Sequence, residues 1–121
     1  MSDFAVSVLQ ADADVVWLSL SGEFDLSAVE RASKALAEAE ALSPKSILVD
    51  LSLLSFMDSS GLHWIVEAHE SAGRRGSRLS LVAGPPNVQR VFEITGLEKQ
   101  LVFVARPEGH QQTVSASVPG D

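Results

Sequence analysis

Apolar positions change period several times along the chain, and each change marks an element. Residues 4–9 place Val6 and Val8 on one face and predict a short strand. Ala11 to Asp14 is a polar connection of hairpin length. Residues 15–20 predict a second strand, whose β-branched and aromatic content suits a half-buried sheet. Ser21-Gly22 is read as its end. Ser27 and Glu30 have the spacing of a capping box, in which hydroxyl and carboxylate satisfy each other's backbone donors. Behind them Val29, Ala32, Leu36 and Ala39 recur at helical spacing, with Arg31, Lys34 and Glu38 on the other side. A helix over 27–42 is predicted, stopped by Ser43-Pro44.

Residues 46–51 are apolar almost throughout, as in a central strand covered on both faces. Residues 52–60 are read as a connection. Leu62, Ile65, Val66 and Ala72 then form the stripe of a helix over 61–72. Gly73 to Gly76 ends it, with arginines at the negative end of the helix dipole. Residues 78–83 predict another strand. Gly84-Pro85-Pro86 opens a helix with Val88, Val91 and Phe92 inward, and Gly96-Leu97 has the form of its C-cap. Residues 101–105 form the last strand, and from Arg106 to Asp121 a polar tail is expected to fray. The order is β-β-α-β-α-β-α-β. It predicts one α/β domain over 1–105: an antiparallel hairpin, then three right-handed crossovers building a mixed sheet.

Composition narrows the function. The 121 residues suffice for one domain. The 45% hydrophobic content supports a core, not a disordered chain. Sixteen acidic and nine basic residues give a net charge of -7, which disfavours nucleic acid and anionic membranes. The absence of cysteine excludes disulfides, thiolate metal sites and cysteine nucleophiles. No stretch approaches the ~20 apolar residues of a membrane span. The first residues lack the basic and apolar regions of a secretory signal, and the expected setting is the cytoplasm.

Candidate chemistry gathers in the loops after the carboxyl ends of the strands, where sheets of this type meet their ligands. These loops hold Glu23, Asp25, Asp58, Ser59 and Ser60. Phe56 and Met57 precede Asp58, and at least one is expected to anchor the loop to the core. The ordinary role of Asp58, Ser59 and Ser60 is helix capping. The sharper reading is a phosphorylation site. A helix N-terminus offers free N–H groups to a phosphate, which would add about 1.5–2 negative charges without unfolding the helix.

Three segments carry a resemblance: Ser21-Gly22-Glu23-Phe24-Asp25; Val49-Asp50-Leu51 followed by Phe56-Met57-Asp58-Ser59-Ser60-Gly61-Leu62; and Val91-Phe92-Glu93-Ile94-Thr95-Gly96-Leu97. In this order the chain resembles the anti-sigma factor antagonists of the STAS superfamily over residues 4–105. The resemblance implies a non-enzymatic binding protein. Its unphosphorylated form would bind an anti-sigma factor that is also a serine kinase of ATPase-type fold, freeing a sigma factor. Phosphorylation at Ser59 would release that partner, and a serine phosphatase would reset the switch. Asp25 matches the family's strand-two loop aspartate beside the switch serine. The expected partner-contact set is Glu23, Asp25, Met57, Asp58, Ser60, Gly61 and Trp64. His63-Trp64 departs from the small residue common at that place. An exposed indole there would tune partner choice, whereas a packed one would serve a neighbouring helix.

Other classes find less support. The nucleophile elbow of serine hydrolases is missing, as are nucleotide fingerprints. His63 and His69 stand six apart, not at ligand spacing, and His69 is read as a packing residue. No metal or cofactor is expected. Glu38 and Glu40 are read as a solvated helix face. The alternatives retained are a STAS docking subunit of a lipid-transport or larger signalling assembly, without a phosphorylation cycle, and a scaffold that only oligomerises.

Overall fold

A computed structural model describes residues 3–106. Five strands form one mixed sheet in the order β1-β2-β3-β4-β5. They are β1 (Ala5–Gln10), β2 (Val15–Phe24), β3 (Ser46–Met57), β4 (Arg78–Val82) and β5 (Phe103–Val104). β1 and β2 are antiparallel, and the remaining neighbours are parallel. The helices are α1 (Val29–Ala41), α2 (Ser59–Arg74) and α3 (Pro86–Thr95). The predicted order of elements is therefore the observed one.

Alternation along the strands divides the sheet into two faces. Val16, Leu18 and Leu20 of β2 join Ile47, Val49 and Leu51 of β3 in the main core. That core also takes Ala32, Ala35, Leu36 and Ala39 of α1, Leu62, Ile65, Ala68 and Ala72 of α2, and Val88 and Phe92 of α3. The alternate positions Trp17, Leu48 and Val82 form a second, smaller cluster with Leu9.

The largest departure from the expected elements is the length of the central ladder. β2 does not end at Ser21-Gly22, and residues 52–57 are not a connection; both strands continue and pair as far as Phe24 and Met57. Two irregularities interrupt the register, between Ser19 and Ser21 and between Gly22 and Glu23 on β2. In each, β3 spends one residue more than β2, which is a β-bulge. The second leaves Ser55 without an opposite residue; its hydroxyl donates to Gly22 O at 3.2 Å, and its carbonyl accepts from Asn87 Nδ2 at 2.9 Å. Gly22 has φ +86°, and a Cβ there would stand 2.5 Å from the carbonyl oxygen of Asp3. Only glycine lets the strand pass under that backbone.

Other boundaries shift locally. The Ser27–Glu30 capping box is not formed. Asp25 instead caps a 3₁₀ turn over Leu26–Ala28, and Ser27 spends its hydroxyl on Asp25. Gly96 closes α3 with φ +76°, as its place in the sequence predicts. A second 3₁₀ turn over Leu97–Gln100 precedes β5, which is shorter than expected.

Two polar ties were not legible. Glu40 is not a solvated residue: it accepts from Ser71 Oγ at 2.8 Å and pairs with Arg75 at 3.3 Å, joining α1 to the end of α2. Arg106 does not begin a free tail. It reaches back to the buried Asp50 at 2.8 Å and lies over the Trp17 ring at 5.8 Å. The rest of the expected tail, 107–121, lies outside the described residues.

Candidate functional site

The long β2–β3 ladder carries two strand ends to one edge of the sheet. Phe24 and Met57 form its last pair, and both are buried. The residue after each is an aspartate. Asp25 Oδ1 accepts from the Ser27 N–H at 3.0 Å and from the Ser27 hydroxyl at 2.6 Å. The Ser27 hydroxyl is the main reason that the Asp25 carboxyl is held below the usual aspartate range. Asp58 Oδ1 accepts from the Ser60 N–H at 2.9 Å and is the N-cap of α2. The Asp58 N–H donates to Phe24 O at 3.3 Å, which locks the two caps side by side.

Ser59 is the first residue of α2 and is exposed. Its hydroxyl makes no hydrogen bond among the described residues, because Asp58 has taken the capping role. Ser60 is half-buried, and its N–H is committed to Asp58. The two adjacent serines thus differ in exposure: Ser59 presents the more solvent-facing hydroxyl at the helix N-terminus.

Beside Ser59 a groove of about 430 Å³ runs between the starts of α1 and α2. Leu26, Val29 and Ser33 line one side; Ser59, Ser60, His63, Trp64 and Glu67 line the other. Leu26 is 75% exposed, an apolar side chain held out next to the serines. His63 Nε2 lies 3.1 Å from Glu67 Oε2 at the far rim. The sequence reading overlooked Leu26; its only signal was an apolar residue directly after the capping Asp25.

Three of the expected contact residues lie beneath this surface. Trp64 is not an exposed indole: it is 5% exposed, its ring centroid is 5.4 Å from that of Phe24, and its Nε1–H donates to Ser33 Oγ at 3.0 Å. Met57 is buried, whereas its neighbour Phe56 is 44% exposed. Gly61 is buried too, and a Cβ there would stand 2.6 Å from Met57 Cγ and 3.0 Å from Phe24 Cγ. These residues form the floor under Ser59 because α2 must sit close on the ladder end. Asp25, Asp58 and Ser60 remain partly accessible. Glu23 is half-buried on β2 opposite Phe56.

Nothing in this arrangement resembles a metal centre. Among the described residues no group of three or more His, Cys, Asp or Glu side chains could hold an ion. No described helix is long and apolar enough to cross a membrane.

A five-stranded sheet with a capped helix start at its edge defines a class, and comparison with known proteins names it. The sequence matches the STAS domain over residues 7–112. It is 30% identical over 96 residues to anti-sigma-F factor antagonist RsfB of Mycobacterium tuberculosis, covering 78% of each chain. It is 29% identical over 107 residues to the anti-sigma-B factor antagonist of Listeria monocytogenes, covering 88% of this chain and 93% of that one. The crystal structure of an anti-sigma factor antagonist from Mycobacterium paratuberculosis superposes with a TM-score of 0.78 at 26% identity, covering 93% of this chain and 95% of the other. The chain belongs to the STAS domain family, and within it to the anti-sigma factor antagonists.

Proposed function

We propose that the protein is a phosphorylation-controlled antagonist. Its unphosphorylated form binds an anti-sigma factor that is also a serine kinase of ATPase-type fold, and a sigma factor is freed. Phosphorylation of Ser59 ends that binding, and a serine phosphatase restores it. The protein catalyses nothing and acts in the cytoplasm. The observation that carries this reading is the Ser59 hydroxyl, exposed and without a hydrogen bond among the described residues, at the start of a helix already capped by Asp58. A phosphate there meets the free N–H groups and the positive end of α2, so the helix tolerates it. The same charge faces a docking partner beside the apolar Leu26 and the groove. It acts by repulsion and by the cost of desolvating a dianion, not by refolding.

The test is a pull-down from host lysate with Ser59→Ala and Ser59→Asp proteins side by side. The alanine form should retain an ATPase-fold kinase, and the aspartate form should lose it with an unchanged circular dichroism spectrum. Equal retention of the same partners by both forms would remove Ser59 as the switch.

A further inference from the structure

Among the described residues β1 ends the sheet and pairs on one side only, with β2. Alternate N–H and C=O groups of an outermost strand point away from the sheet and can accept another strand. Exposed edges are commonly guarded by charge, proline or a bulge. Ala5–Gln10 contains no charged residue and no proline, and its register with β2 is unbroken.

Above this edge lies α1. The groove between them, about 510 Å³, is floored by Val6, Val8 and Ala35 and rimmed by Arg31, Lys34 and Glu38. Arg31 Nη1 donates to Phe4 O at 2.9 Å, which sets the first turns of α1 beside the start of β1. Lys34 and Glu38 are exposed and have no ion-pair partner among the described residues. Along α1 the rim of the groove therefore runs from basic at Arg31 and Lys34 to acidic at Glu38.

We propose that this edge is a docking surface for a second copy of the chain. β1 pairs antiparallel with its equivalent about a two-fold axis near Ser7 and Val8, and the two sheets become one. A two-fold contact is self-complementary, so a residue at one end meets the residue at the other end of its copy. The axis turns one α1 against the other and brings Lys34 toward Glu38 of the second copy in both directions. This polarity selects a second copy over a uniformly acidic peptide, which would meet Glu38 as a like charge. The Ser59 groove uses the other flank of α1, at Val29 and Ser33. Pairing thus leaves it open, and the proposal stands apart from the switch reading.

Sedimentation equilibrium of the full chain over a wide concentration range tests this. A reversible monomer–dimer equilibrium is expected. Ser7→Lys, at an exposed edge position, should weaken it by about tenfold or more. Lys34→Glu and Glu38→Lys should each weaken it, and the double reversal should restore it. These exposed helix positions keep the test readable if Ser7→Lys disturbs the strand. Monomer at every concentration would overturn the proposal. So would a dimer indifferent to Ser7→Lys in a folded protein, a double reversal that fails to restore pairing, or a monomer that takes up a poly-glutamate probe instead.

Discussion

Phe24 and Met57 face each other as the last pair of the β2–β3 ladder, and each is followed by an aspartate that caps the next helical segment. The two strand ends therefore deliver two caps to one place. Ser59 inherits its position from that pairing. Its freedom follows from Asp58, which relieves it of capping.

Gly61 is the point where α2 presses on this pair. A methyl group there meets Met57 Cγ, Phe24 Cγ and, at 3.1 Å, the Phe24 carbonyl oxygen. The backbone oxygen cannot yield as a side-chain end could. Gly61→Ala gains helix propensity of about 1 kcal/mol, but overpacking costs about 1–3 kcal/mol. A net loss of stability is expected in urea unfolding, and the double variant with Met57→Ala should show non-additive costs. A stabilised Gly61→Ala would mean that the helix start is looser than described.

Asp50 is 1% exposed and pairs with Arg106, while its other oxygen accepts from the Ser52 N–H at 2.9 Å. Removing the cation leaves a buried carboxylate with that single bond. Arg106→Ala should destabilise by about 3 kcal/mol, since breaking one side of a buried pair is the expensive change. Adding Asp50→Asn should recover part of the loss. Chemical denaturation of the four proteins of this cycle measures the coupling; additive costs would show that the two side chains act separately.

Asp25 gives a pH signature. Its carboxyl is lowered from the usual 3.8, first by the Ser27 hydroxyl. A lowered folded pKa stabilises the fold above the unfolded value, and that contribution is lost as pH falls through the folded one. A carboxyl-carbon titration by NMR should give Asp25 a midpoint below 3.8, and Ser27→Ala should raise it. The stability gap between the two proteins should narrow in acid. A midpoint at or above 3.8 would show that the Ser27 bonds do not hold in solution.

What the sequence made legible was local. Stripes such as Leu62, Ile65 and Ala72 mark their own helix, and Gly96 marks its own cap. Asp58 could be read as an N-cap because it bonds two residues away. What it hid depended on distant partners. Ser21, Gly22, Ser52 and Ser55 have the chemistry of turns, yet they lie in strands because Asp3 crosses Gly22 and Asn87 satisfies Ser55. Trp64 faces inward because Ser33, on another helix, accepts its indole N–H. Arg106 belongs to the fold through Asp50, on a strand far back in the chain. None of these partners announces itself by spacing.

The two bulges have a consequence in parity. In β3 the buried core positions run odd at Ile47, Val49 and Leu51, even at Leu54, and odd again at Met57. Each extra residue flips which side of the sheet the following side chains take, and the second flip cancels the first. The chain between Leu51 and Asp58 thus counts as well as spells. Deleting one residue there would keep nearly every letter of the segment, yet it would turn Met57 outward and carry Ser59 to the wrong side of the sheet.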